Sequence, residues 1–212
     1  MSRRDSSSPP AAAGAERVVE AATPEGSRRV RLLDAALGVF LRYGYRKTSM
    51  EEVARAAQVS RQALYLHFAT KEQLFAAAVQ RFLESGLEAV ARRLREPSST
   101  VEEQLLGALD AWFGRYVGLR TGDVDDLHAA SQDLVGPIIA EHEEQFLERV
   151  TRALRSSGLP AAYKVTGISA RQLAETLQAT ARGLKHSCAS RAEFLDRMGI
   201  AVRALCLPLR QG

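Results

Sequence analysis

An all-α fold of about nine helices is what this chain predicts, and three observations carry the prediction. Aromatic residues make up only 6% of a sequence that is 46% hydrophobic. Ala and Leu dominate without β-branched runs, a balance that favours helix over sheet. Apolar residues recur three and four positions apart over most of the chain. Several of these runs open on a capping signal: Ser49, Ser60, Thr70, Ser169 and Ser190 each stand just before one. Neither a repeat nor a strand pattern competes.

Residues 1–25 are rich in Ser, Pro, Ala and Gly. Such a segment does not repay its ordering entropy and reads as a flexible arm, with Arg3 and Arg4 touching phosphates at most transiently. Ser27 caps a helix to Tyr43, with Val30, Leu33, Leu37, Phe40 and Leu41 on one face and Gly44 as the stop. Ser49 with Glu52 opens a helix over 50–57, Ser60 one over 61–68, and Thr70 with Gln73 one over 71–94. Pro97, Ser98 and Ser99 mark a break. The helix over 101–120 carries Leu105, Leu109, Trp112, Phe113 and Tyr116 as its apolar stripe. A shorter helix covers 124–134, and Pro137 sits where a first-turn proline opens another, to Ser156. Ser169 with Gln172 and Ser190 with Glu193 launch the last two, over 170–187 and 191–207.

With 212 residues there is room for one large or two small domains. The net charge of +4 is unevenly spread. Between Gly26 and Phe75, nine basic residues face four acidic ones, so the positive excess sits there, as a polyanionic partner requires. Cys188 and Cys206 stand near opposite ends of the last two helices, too far apart to pair, and read as small core residues. No stretch has the length of a membrane span and the start lacks an apolar signal core, so a cytoplasmic location is expected. Asp123, Asp125, Asp126 and His128 suggest a metal, but acids at a helix start are explained by its dipole. No metal, cofactor or catalytic residue is expected.

The stretch from Thr48 to Leu74 carries the functional signal. Val53, Ala54, Ala57, Val59, Leu64 and Phe68 form an apolar seam that sets two short helices at an angle, as in a helix-turn-helix. The second leaves Arg61, Gln62, Ala63, Tyr65, Leu66 and His67 on its free surface. Arg61 suits guanine O6 and N7, and Gln62 suits adenine N6 and N7. Tyr65 and His67 suit phosphates or a thymine methyl. Thr48, Ser49 and Ser60 offer hydroxyls and helix N-termini to phosphate oxygens, and Lys71 adds a charge.

Those residues, with Phe40-Leu41-Arg42-Tyr43-Gly44-Tyr45 before them and Lys71-Glu72-Gln73-Leu74 after, resemble the DNA-binding domain of a TetR/AcrR-family transcriptional regulator over about residues 28–76. The resemblance implies a three-helix DNA-binding domain at 26–75 and a helical effector-binding and dimerisation domain at 76–212. Two positions depart from the family pattern: Gln58 stands where Gly is common, and Leu66 replaces a frequent aromatic.

The resemblance also implies an effector pocket and a dimer interface. Trp112, Phe113, Tyr116, His128, His142 and Phe146 are the candidate pocket residues, suited to a lipophilic small molecule. The stripes Leu173, Leu177, Ala181, Leu184 and Phe194, Met198, Ala201, Leu205 are the candidate interface of a homodimer. The expected function is a ligand-responsive repressor that reads a palindromic operator as a homodimer. An architectural DNA-binding protein without an effector is the alternative. A small helical enzyme using the acidic and His residues of 123–146 is a remote one.

Overall fold

The computed structural model describes residues 24–118 and 124–210, and readings that fall on the N-terminal arm, on Asp123 or on the side chains of Asp125 and His128 lie outside the described residues. Nine α-helices follow one another among them: α1 Pro24–Tyr43, α2 Met50–Ala56, α3 Arg61–His67, α4 Lys71–Leu94, α5 Val101–Trp112, α6 Val124–Ser156, α7 Leu159–Ala162, α8 Ala170–Ser187 and α9 Arg191–Cys206. Short 3-10 turns follow α5, α7 and α9.

Capping chemistry sets most of the starts. Ser49, Thr100 and Ser169 form complete capping boxes with Glu52, Glu103 and Gln172. At Thr70 and Ser190 the hydroxyl caps as expected, but the partner side chain reaches one residue further back. Gln73 accepts from the Ala69 N–H, and Glu193 from that of Ala189. The first helix starts a turn before Ser27, with Pro24 at its first position, where a missing N–H is harmless.

Two expectations are corrected. The helix read to residue 120 ends at Trp112, because the helix-weak Gly114 follows and the chain passes through a 3-10 turn to Gly118 at φ 77°. Pro137 does not open a helix but lies inside α6, which runs unbroken for 33 residues. The apolar positions stay in phase across it, through Leu127, Ala130, Val135, Ile138 and Phe146. Burial on both sides outweighs the hydrogen bond lost at the proline, which costs about 3 kcal/mol.

Two apolar clusters result. The first joins Leu33, Ala36 and Phe40 of α1, Val53 and Ala54 of α2, Leu64 of α3, and Leu74, Phe75 and Ala78 of α4, with Ala130 and Val135 of α6. The second joins Leu83, Leu87 and Val90 of α4 with the buried faces of α5, α6, α8 and α9. Both α4 and α6 therefore serve both clusters. Arg149 of α6 donates to the Leu87 carbonyl of α4 at 3.0 Å, fixing the pair in the body.

The stripes read as a dimer interface lie elsewhere than expected. Leu173, Leu177, Ala181 and Leu184, with Phe194, Met198 and Leu205, are buried in the second cluster of a single chain, and Ala201 packs against it. Helical spacing marks a face for burial without saying which chain will cover it. The opposite faces are open: a side chain at Gly183 of α8 would meet nothing within 4 Å, and Ile200 of α9 is 61% exposed. Cys188 and Cys206 are both buried.

The capping carboxylates make stability pH-dependent. Hydrogen bonds from the Ser49 backbone and hydroxyl hold the Glu52 carboxyl below its ordinary value, and Thr100 does the same for Glu103. A carboxylate depressed in the folded state stabilises above its unfolded pKa, near 4.3, and that contribution is lost as pH falls through the folded value. Melting temperature is expected to drop between about pH 5 and pH 3, and less steeply in the Glu52→Gln, Glu103→Gln double variant. Parallel curves for the two proteins would contradict the assignment.

Candidate nucleic-acid interface

Helix α3 has seven residues and one of them, Leu64, is buried. Isolated helices of that length do not persist in water, so its place is set by its ends and by Leu64. Ser60 caps the start, accepting the Ala63 N–H at 3.0 Å. Phe68 closes the end, 4% exposed, with the Arg29 guanidinium of α1 5.1 Å from its ring centre.

The turn before α3 is equally determined. The N–H of Val59 reaches the Ala54 carbonyl at 3.0 Å and that of Gln58 the Arg55 carbonyl at 3.2 Å. This is a Schellman closure of α2, and it places Gln58 at φ 57°, the left-handed region that glycine adopts without penalty. Gln58 therefore holds a strained conformation at the position where the family pattern commonly has Gly.

Held in this way, α3 turns Arg61, Gln62, Tyr65, Leu66 and His67 to solvent, with Ala63 partly covered. Leu66 is 81% exposed, an apolar side chain turned to solvent. The Arg61 guanidinium lies 5.5 Å from the Tyr65 ring centre, one helical turn on. The arrangement presents a bidentate donor, an amide and an apolar contact side by side, the groups that read base edges in a major groove.

Two residues expected at the phosphates are used within the chain. Thr48 is 2% exposed and its hydroxyl donates to the Gly44 carbonyl at 2.7 Å, so it secures the loop between α1 and α2. The Lys71 ammonium donates to the carbonyls of Tyr45 and Thr48, both at 3.2 Å, and stands 4.5 Å from the Tyr45 ring centre. Next to it, Glu72 accepts the Tyr45 hydroxyl at 2.8 Å; burial first, then this bond, pushes that phenol upward in pKa. Ser49 stays at the exposed start of α2.

A contact the sequence did not signal ties this loop to the body. Asp126, in the first turn of α6, accepts the Arg46 N–H at 2.7 Å and pairs with the Arg46 side chain at 3.3 Å. The partners are 80 positions apart, and no local pattern links them.

Three of the candidate effector residues pack on one another in the body. The Trp112 and Phe146 rings stack at 5.3 Å, Phe113 meets Phe146 edge-on at 5.5 Å, and all three are buried. His142 is buried with its Nδ1 on the Ile138 carbonyl at 2.7 Å. Tyr116 stands apart from this stack, edge-on to Phe82 with the Lys185 ammonium 4.9 Å from its ring centre, and burial pushes its pKa up to about 12. Burial likewise lowers the pKa of Lys185.

A short helix braced across a second, with a polar and apolar reading surface at its free side, defines a helix-turn-helix DNA-binding protein. Residues 32–78 match the family model described as bacterial regulatory proteins, tetR family. Over 90 residues the chain is 37% identical to the HTH-type transcriptional activator FasR of Mycolicibacterium smegmatis, covering 42% of this chain and 41% of that one. It is 36% identical over 88 residues to the HTH-type transcriptional regulator AcrR of Shigella flexneri, covering 39% and 40%. The matches thus span about two fifths of those relatives. The fold is shared with a TetR-like transcriptional regulator from Rhodococcus sp. RHA1, at TM-score 0.58 and 24% identity over 90% of this chain and 99% of that one. Residues 32–78 thus match the tetR family of bacterial regulatory proteins, and the described residues share the fold of a TetR-like transcriptional regulator.

The strain at Gln58 has a measurable consequence. Glycine removes the left-handed penalty of a side chain, at the expense of unfolded-state entropy, for a net gain of up to about 1 kcal/mol. Gln58→Gly is expected to raise the melting temperature by about 2–4 °C. A lower melting temperature would show that the Gln58 side chain contributes more than its backbone costs.

Proposed function

We propose that the chain is a ligand-responsive repressor acting as a homodimer on a palindromic operator in the bacterial cytoplasm. The observation that carries the reading is the exposed side of α3, where Arg61, Gln62, Tyr65 and Leu66 are turned to solvent and, among the described residues, the Arg61–Tyr65 contact is what engages them. In this reading Arg61 and Gln62 select bases, Leu66 meets a thymine methyl, and Tyr65, His67, Ser49 and Ser60 meet the backbone. Ala63 permits close approach. Lys71 acts by holding the loop carbonyls, so that the N-termini of α2 and α4 face the phosphates together.

One such helix binds weakly, and two related by a dyad read both halves of an inverted repeat. The open faces of α8 and α9 suit that pairing, with Ala179 and Gly183 on one helix, Ile200 and Ala204 on the other, and Leu207 just beyond its end. A lipophilic effector lodged among Trp112, Phe113, Tyr116, His142 and Phe146 would part the stacked rings. Because α4 and α6 enter both apolar clusters, displacement in the body would tilt the DNA-binding end. The Arg46–Asp126 contact lies on that path.

Fluorescence anisotropy on an inverted repeat flanking the gene, beside random duplex, tests the reading. Arg61→Ala is expected to lose the operator selectively, by about 1–3 kcal/mol, leaving random-duplex affinity nearly unchanged. Equal losses on both duplexes would remove Arg61 from base recognition. Lys71→Ala is expected to weaken every duplex alike and to lower the melting temperature, since it frees part-buried carbonyls. Ile200→Asp is expected to shift the sedimentation coefficient from dimer to monomer, and an unchanged coefficient would place the interface elsewhere.

A further inference from the structure

A cleft of about 350 Å³ lies between α4, α5 and the start of α9, lined by Arg92, Arg93 and Glu96, by Asp110, Ala111 and Arg115, and by Arg191. Four guanidinium groups thus face two carboxylates. One of the two is already matched: Arg191 binds both oxygens of Asp110, which is itself only 9% exposed. Among the described residues Arg92 and Arg93 pair with no carboxylate. Among the described residues Arg115 donates to neutral groups, the Phe82 carbonyl at 2.6 Å and the Ser85 hydroxyl at 3.4 Å, with its guanidinium over the Phe82 ring. Burial lowers its pKa, the mark of a cation taken out of water.

The fold makes room for this cluster. A Cβ at Gly107 would fall 3.1 Å from the Arg93 stem, one at Gly114 would meet the Asp110 carboxylate, and one at Gly86 would fall 2.9 Å from the Arg115 guanidinium. Each of these glycines lies in a helix or 3-10 turn, where glycine is unfavourable, and each clears space for a residue of the same cleft. Attraction to the negative end of α4 accounts for Arg92 and Arg93. It does not account for Arg115 and Arg191, which come from other elements.

We propose that this cleft binds a compact oxyanion carrying at least two negative charges, a phosphate or a polycarboxylate. Arg92, Arg93 and Arg191 contact it from the rim, and Arg115 supplies positive charge at the base. The volume lies at the lower end of small-molecule sites, which suits a compact ligand and excludes a bulky one. Bound there, the anion would join the C-terminal half of α4 to α9, bracing the helix that also enters the DNA-binding cluster. The site does not depend on the DNA-binding reading.

Isothermal titration of the full chain at constant ionic strength tests it, with inorganic pyrophosphate in one arm and citrate in the other. Saturable one-site binding of either is expected, and the arm that binds identifies the source. Arg93→Ala and Arg191→Lys are expected to weaken it at least tenfold, with circular dichroism reporting that both stay folded. Gly107→Ala keeps every charge but displaces the Arg93 stem, and is expected to weaken binding several-fold. Arg61→Ala is expected to leave the affinity unchanged. Absence of saturable binding in both arms overturns the proposal. So does a loss that follows Arg61 instead of the cleft arginines, or affinity indifferent to Gly107→Ala.

Discussion

Helix α4 is the constraint on which the rest of the molecule depends. Its 24 residues span about 36 Å, and its buried face changes hands midway. Leu74, Phe75 and Ala78 belong with the short helices of the DNA-binding end, whereas Leu83, Leu87 and Val90 belong with the body. At its start, Lys71 and Glu72 hold the loop between α1 and α2, and the Phe75 ring packs edge-on to Phe40 at 5.0 Å and to Tyr45 at 5.1 Å. The three short or exposed pieces that meet DNA in the proposed reading are thereby referred to one long rigid element. Without it, α3 has a single buried residue to hold it in place.

The sequence made the DNA-binding end legible because its determinants are local. A capping hydroxyl and the residue three positions on declare a helix start, and Ser49, Ser60 and Thr70 all perform that role. The positive φ at Gln58 fits the glycine common at that position in the family that the motif resembles. Thr48 and Lys71 were assigned to phosphate by residue type, yet their polar atoms go to loop carbonyls 4 and 23 to 26 positions away. Residue type gives the chemistry available and leaves open where it is spent.

In the body, periodicity identified the buried faces and misassigned their partners. The α8 and α9 stripes cover the interior of one chain, because amphipathicity records burial alone. Pro137 was taken for a boundary because proline favours first turns, and the in-phase apolar positions on either side carry more weight. The cleft arginines had no local signature at all. Arg191 meets Asp110 from 81 positions away, and the glycines that accommodate the cluster resemble any others until the helices are packed.

The unbroken passage of α6 through Pro137 sets where this molecule yields. Proline contributes no N–H, so the Asp133 carbonyl lacks its usual bond and the helical ladder is short of one rung near its middle. On one side of the gap the helix is bound to the Arg46 loop, and on the other to α8 through the Arg171–Glu144 and Arg182–Glu143 ion pairs. A torque applied to either end reaches the other through the weakest section of the shaft.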